Sequence, residues 1–370
     1  MFERLDAFET RLEALDRQLM DPAIAKDGRK LREVAQEAAR VRGIVDAVHG
    51  YRKLERELAG AREVLAEESD PALRDLAKEE IADLETRLAA SEEGVKLLLL
   101  PRDPYEGRPL MLEIRAGTGG DEAGLFAADL FRMYQRFGEK RGLRFEVMSS
   151  SPITVGSSGK SIPGFKEIVA SVTGEDAWHL LRFEGGVHRV QRIPATESQG
   201  RIHTSAATVA VLPEPDEVEV RIEQKDLRID TMRAGGPGGQ SVNTTDSAVR
   251  IVHVPTNITV QCQDEKSQHK NREKALRILK ARLLEREQEQ QKATETAARR
   301  SMVGTGDRSE RIRTYNFPQN RLTEHRIDLT LYKLDSVMNG DLGDVVDALT
   351  AEHQAKLLDV AYGRDTRQGT

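Results

Sequence analysis

Gly235-Gly236-Pro237-Gly238-Gly239-Gln240 is the segment that most restricts how this chain can fold. Two glycine pairs around one proline suit neither a helix interior nor a central strand, so this stretch is expected to be a shaped, exposed loop. Five of the six residues carry no functional side chain, which leaves the backbone as the working part. Glycine lets the main chain approach another molecule closely, and Gln240 adds one uncharged donor and acceptor. The loop therefore suits presentation of amide N–H groups to an oxygen, although a plain turn has the same composition. A phosphate loop is excluded, because Gln240 stands after the last glycine where that pattern needs Lys.

The chain has 370 residues, of which 32% are charged and 4% aromatic, and this predicts two or three domains with aliphatic cores. Its single cysteine, Cys262, excludes an internal disulfide framework and fits a reducing cytoplasm. No apolar run approaches the length of a membrane span, and no leader peptide is evident. The net charge of −6 is unevenly spread: residues 1–100 hold 17 Lys/Arg against 23 Asp/Glu, and residues 221–300 hold 16 against 11. The glycine loop thus lies in a locally basic segment, the side expected to meet phosphate.

Periodicity divides the rest. Leu5, Phe8, Leu12, Leu15 and Leu19, then Leu73, Leu76, Ile81, Leu84 and Leu88, recur at helical spacing, so residues 1–108 are expected to form a helical domain. Pro101, Pro104, Gly107 and Pro109 break it. Leu110–Arg115 reads as a strand, and Gly117-Thr-Gly-Gly-Asp-Glu opens an amphipathic helix whose first acids favour the positive end of its dipole. Thr154-Val-Gly-Ser-Ser-Gly-Lys-Ser imitates a nucleotide loop but lacks the first glycine, and a flexible surface loop is expected there. Alternation at Val209–Leu212, at Val218, Val220 and Ile222, and at Leu227 and Ile229 implies strands. Val249–Gln263 reads as a hairpin turning at Pro255-Thr-Asn257, and a long basic helix runs from Lys266 to about Arg300, with Leu276, Leu279, Leu283 and Leu284 inward.

Three ordered blocks carry a resemblance. The segment Arg233–Ile251, with Gly238-Gly239-Gln240 at its centre, resembles the catalytic loop of class-I peptide chain release factors. His188-Arg-Val-Gln191-Arg192-Ile-Pro194-Ala195-Thr196, continuing to Ile202-His203-Thr204, resembles the decoding loop of the type-1 members, whose tripeptide is Pro-Ala-Thr or Pro-Val-Thr. The Ser-Pro-Phe of type-2 members is absent from this region. Gly304–Arg326 is similar to the segment joining the catalytic and decoding domains.

The resemblance implies an α+β multidomain fold: an N-terminal helical domain over 1–108, an α/β codon-recognition domain over 109–214, and an α+β domain carrying the Gly-Gly-Gln loop over 215–300. A switch segment with a C-terminal helix over 301–370 would then return to the recognition domain. It implies codon contacts from Gly119, Glu122, Gln191, Arg192, Pro194, Ala195, Thr196, Ile202, His203 and Thr204, reading UAA and UAG. Gly119 and Glu122 would offer backbone groups to the first uridine, Thr196 would select adenine at the second position, and His203 would stack. Gln191 and Thr204 fit the third position, because an amide can turn to meet adenine or guanine. Gly238, Gly239 and Gln240 would meet peptidyl-tRNA, with Gln240 the target of side-chain methylation to N5-methylglutamine. Arg299, Arg300, Arg308, Arg311 and Arg313 form the candidate switch. The implied partners are the ribosome, an mRNA stop codon, peptidyl-tRNA, a glutamine N-methyltransferase and a recycling GTPase.

The residues show no Ser-His-Asp order and no histidine pair at metal spacing, so neither a metal nor a cofactor is expected. Ester hydrolysis would rest on position and electrostatics, with the Gln240 N–H stabilising developing negative charge. A ribosome-rescue hydrolase that reads no codon and a ribosome-binding regulator with no hydrolytic role are the competing readings.

Overall fold

The computed structural model describes residues 5–362 except 102, 158–159, 195–196, 198, 216–221, 234–245 and 305. The expected strand residues Val218 and Val220 lie outside the described residues, as does the glycine loop. Contacts divide the chain into two units, Met1–Pro104 with the stretch from Ala348 onward, and Tyr105–Asp347.

The first unit is helical: α1 (Leu5–Leu19), α2 (Pro22–Ala25), α3 (Gly28–Glu67) and α4 (Pro71–Leu98). The triplet Asp-Pro-Ala starts two of them. Asp21 and Asp70 accept from the N–H groups of Ala23 and Ala72 at 2.8 and 3.0 Å, and the following proline needs no partner at the first helical position. Leu15, Ile44, Val48 and Val95 are buried at the centre, with Phe8, Leu12 and Leu19 against them. A second cluster joins Leu58 and Ala61 to Leu84.

Leu73 and Leu76 depart from the expected stripe, being 47% and 60% exposed. Along α4 the inward residues are Ala77, Ile81, Leu84, Leu88 and Val95, so the expected stripe holds from Ile81 to Leu88 at steps of three and four. Beside the start of that inward face Arg74 donates through Nη1 to the Leu65 and Glu68 carbonyls at 2.9 Å each, closing the end of α3.

In the second unit an eight-stranded sheet runs in the order β11-β10-β9-β4-β5-β1-β3-β2. Its strands are β1 (Leu110–Ala116), β2 (Arg144–Ser157), β3 (Lys160–Thr173), β4 (Gly186–Arg192), β5 (His203–Pro213), β9 (Arg311–Asn316), β10 (Arg321–Glu324) and β11 (Leu329–Leu331). The helix α5 (Asp121–Lys140) buries Phe126, Leu130, Met133, Tyr134 and Phe137 against it, as its amphipathic pattern predicts. A short helix, α6 (Ala177–Leu181), precedes β4. All neighbouring strands are antiparallel except β4 and β9. A parallel pair needs a long crossover, and here it is a whole second layer. That layer comprises β6 (Leu227–Met232), β7 (Ala248–His253), β8 (Ile258–Cys262) and α7 (Gln268–Val303).

The β7–β8 hairpin turns where expected, with Asn257 at φ 56°, a left-handed value that asparagine tolerates. Val249, Ile251, Val260 and Cys262 pack on Ala275, Leu279 and Leu283 of α7. Ile222, expected in a strand, instead precedes a 3₁₀ turn at Gln224–Asp226. After β11 come α8 (Leu334–Met338) and α9 (Gly343–Tyr362).

Thr154–Ser157 and Lys160–Ser161 are strand, not the flexible loop expected there. β2 and β3 pair continuously out to Ser157 and Lys160. Two register shifts, after Val147 and Ser151, bracket the Ser149-Ser150-Ser151 run within the ladder. Pro152 is tolerated because β2 is the edge strand. Val155 is buried, and Gly124 on α5 meets Gly164 on β3 so closely that a Cβ at Gly164 would lie 2.9 Å from the Gly124 backbone.

Candidate nucleic-acid interface

One end of the large sheet gathers most of the described candidate residues. β4 ends and β5 begins there, with Gln191 opposite Thr204 and Arg192 opposite His203. The loop between β1 and α5 is stitched to the same place: Gly117 N–H donates to the Ala206 carbonyl at 2.9 Å, and Ala206 N–H to the Thr118 carbonyl at 2.8 Å. Gly119 sits at φ +139°, and a Cβ there would come within 2.4 Å of Ser205 Oγ. Only glycine satisfies both the backbone angle and the contact, so the loop leading into α5 hugs β5 at Ser205 and Ala206. The helix N-terminus adds free N–H groups and a positive dipole end to this surface.

Arg192 is committed inward. It donates from Nε to Glu122 Oε1 at 2.5 Å and from Nη1 to Asp129 Oδ2 at 2.7 Å, and its guanidinium lies 5.2 Å from the centre of the Phe317 ring. Burial works against its charge, but Asp129 and Glu122 outweigh this and raise its pKa. Glu122 is buried. The side chains of Arg192 and Glu122 therefore clamp β4 to α5, and Glu122 has only its backbone to offer a ligand.

His203 is exposed and pairs through Nε2 with Glu197 Oε2 at 2.8 Å, while Glu197 N–H donates to the Pro194 carbonyl at 3.1 Å. Ile193 and Ile202 are exposed beside it, and Pro194 is buried. Gln191 Oε1 accepts from Asn316 Nδ2 at 3.2 Å. Ala195 and Thr196 of the tripeptide, and Gly238, Gly239 and Gln240, lie outside the described residues.

The five candidate switch arginines have separate environments. Arg299, near the end of α7, donates to both oxygens of Glu113 on β1, at 2.7 and 2.5 Å. Arg300 and Arg308 are exposed, and Arg311 Nε meets His325 Nε2 at 3.3 Å. Arg313 is fully buried: Nη1 and Nη2 donate to Glu184 at 2.6 and 2.8 Å, and Nε donates to Glu324 at 3.0 Å. Tyr134 also donates to Glu184, at 2.7 Å. His188 faces the Glu184 carbonyl at 2.9 Å through Nε2 and the Tyr315 hydroxyl at 3.1 Å through Nδ1, which makes Nε2 the protonated nitrogen.

Burial opposes the Glu184 carboxylate, yet Arg313 holds its pKa below the ordinary value. At Glu324 burial is again outweighed, here by Arg326 and Arg313, bringing the pKa to about 2. Burial, reinforced by Arg313, lowers His188 to about 4, so it is neutral near pH 7. Arg313 thus braces the sheet from within. Sequence reading missed Glu184, Glu324, Asp129, Ser205 and Asn316. Asp129 alone had a local signal, two helical turns after Glu122 on one face of α5.

Residues 8–209 match the PCRF domain and residues 216–326 the RF-1 domain. That pair defines a factor that ends protein synthesis on the ribosome, and the chain belongs to the peptide chain release factor family. Within it the similar relatives are of the first type: Peptide chain release factor 1 of Maridesulfovibrio salexigens is 52% identical over 358 residues, 97% of this chain and 98% of its own. The proteins of that name from Oleidesulfovibrio alaskensis (54% identical; 97% and 98% covered) and Geobacillus kaustophilus (51%; 98% and 99%) agree. A solved structure, RF2 of Thermus thermophilus, aligns over 98% of this chain and 96% of its own at 40% identity, with a TM-score of 0.46. The chain acts in translation termination, coupling stop-codon recognition to ribosome-dependent hydrolysis of peptidyl-tRNA.

Proposed function

We propose that this chain terminates translation at UAA and UAG, reading the codon at the sheet end formed by β4, β5 and the start of α5. The observation that carries this reading is the placing of Gln191, His203, Thr204 and Gly119 around the strand ends that lead into Pro194-Ala195-Thr196. The Gly119 loop and helix N-terminus present N–H groups, which suit the carbonyl acceptors of a first-position uridine. The Thr196 hydroxyl, both donor and acceptor, selects adenine at the second position. The exposed His203 ring stacks, and Gln191 with Thr204 meets the third base.

Hydrolysis belongs to Gly238-Gly239-Gln240 and takes place only on the ribosome, so the protein is not a free-standing enzyme. Methylation of Gln240 by a glutamine N-methyltransferase and removal of the factor by a recycling GTPase complete the proposed cycle. The setting is cytoplasmic. Among the described residues no helix is long and apolar enough to cross a membrane.

Ribosomal complexes carrying formyl-methionyl-tRNA and programmed with UAA, UAG, UGA or a sense codon provide the test. Formyl-methionine is expected at UAA and UAG only. Release at every codon would identify a rescue hydrolase instead, and release at none would leave a binding regulator.

A further inference from the structure

We infer that Asn316 sets the purine preference at the third codon position by fixing which end of the Gln191 side-chain amide faces the base; this rests on the codon reading proposed above. Asn316 and Gln191 are register partners on the parallel strands β9 and β4, and the Phe317 N–H donates to the Gln191 carbonyl at 3.0 Å. Their backbones are therefore locked side by side, and the amides meet across the pair.

Gln319 removes the ambiguity of the Asn316 amide. Its backbone N–H, which can only donate, lies 3.1 Å from Asn316 Oδ1. The oxygen of Asn316 is committed to it, so Nδ2 must face the other way. That nitrogen donates to Gln191 Oε1 at 3.2 Å and to Gln319 Oε1 at 3.1 Å. With its own oxygen turned to Asn316, Gln191 presents its NH₂ group outward.

An outward NH₂ is a donor. Guanine offers the acceptors O6 and N7 on the edge where adenine offers the N6 donor and the N7 acceptor. The resting orientation thus matches guanine O6. Reading adenine through N6 requires Gln191 to turn over, which brings its NH₂ against the Asn316 NH₂ and forfeits a hydrogen bond. Asn316 cannot turn in compensation without setting its own NH₂ against the Gln319 N–H. A backbone group three residues along β9 and its turn is thereby relayed through two amides to the base. Asn316 touches no nucleotide in this scheme and is a positioning residue.

Asn316→Asp reverses the relay while keeping the shape. One carboxylate oxygen still accepts from Gln319 N–H, and the other accepts from Gln191, whose oxygen then faces outward to adenine N6. Asn316→Ala removes the relay. Formyl-methionine release would be measured over a range of factor concentrations at UAG and at UAA for the unaltered chain and both variants, with UGA as control. The ratio of UAG to UAA efficiency is expected to fall about three- to ten-fold in the alanine variant, the worth of one hydrogen bond, and further in the aspartate variant. Loss of folding or ribosome affinity would lower both codons together and leave the ratio unmoved. An unchanged ratio in both variants, with release at UAA and UAG retained, overturns the inference and leaves the codon reading intact. Absence of release by the unaltered chain at either codon overturns both.

Discussion

A Gln240→Pro chain is expected to release formyl-methionine at UAA about 100- to 1000-fold more slowly than the unaltered chain, whereas Gln240→Ala should lose no more than about 10-fold. The two substitutions remove different groups. Alanine deletes the side-chain amide and keeps the backbone N–H, while proline removes that N–H as well. A preorganised N–H aimed at the oxygen that gains charge in the transition state is worth about 2.7 to 4 kcal/mol. The side-chain amide has the lesser task of limiting which nucleophile reaches the ester. Equal losses in the two variants, measured at saturating factor, would remove the backbone from the mechanism.

Replacing Arg313 should cost the second unit about 3 to 5 kcal/mol, because Glu184 is left fully buried without its counter-charge. The shape-conserving Arg313→Met is the informative variant. Glu324 keeps Arg326, which donates to it at 2.8 and 3.0 Å, but among the described residues the Glu184 carboxylate retains only the Tyr134 hydroxyl as a hydrogen-bond donor. Adding Glu184→Gln should restore much of the loss by removing the stranded charge.

The same network makes the unaltered chain acid-sensitive. His188 binds a proton near its ordinary value of 6.5 when unfolded and at about 4 when folded, so the unfolded state holds more protons between those limits. Its contribution is complete above pH 6.5 and lost as pH falls toward 4. Glu324, with a folded pKa of about 2 against 4.5, continues the loss between those values. Urea unfolding at pH 7.5, 5 and 3 tests these points, the step to pH 5 reading His188 and the step to pH 3 reading Glu324 as well. Arg313→Met as stable as the unaltered chain would show that the buried arginine does not brace the sheet.

Much of this was legible in the residues because the signals are local. The Gly117–Glu122 turn before α5, the Pro255–Asn257 hairpin and the α7 stripe each depend on a few neighbours, and each formed where its pattern lay. What escaped depends on pairing across distance. Glu184 and Arg313 lie 129 residues apart, and no spacing rule joins them. The β2–β3 extension escaped because the Gly/Ser-rich stretch from Thr154 to Ser161 has a loop's composition, while cross-strand pairing of Thr154–Ser157 with Lys160–Pro163 keeps it in the ladder. Arg192 and Glu122 stood out as charged residues in recognition motifs, and only the fold revealed that their side chains face each other. Leu73 and Leu76 misled because periodicity marks a face without identifying what covers it.

The central claim is that codon reading and ester hydrolysis occupy two places on one chain, so their defects should separate. Release at UAA, followed over factor concentration for Gly119→Val and Gln240→Pro, measures this most directly. The valine Cβ would collide with Ser205 and dislodge the helix start, raising the half-saturating concentration about 100-fold while leaving the plateau rate near that of the unaltered chain. Gln240→Pro should lower the plateau and leave half-saturation in place. If both variants changed the same parameter, the division of labour would be contradicted.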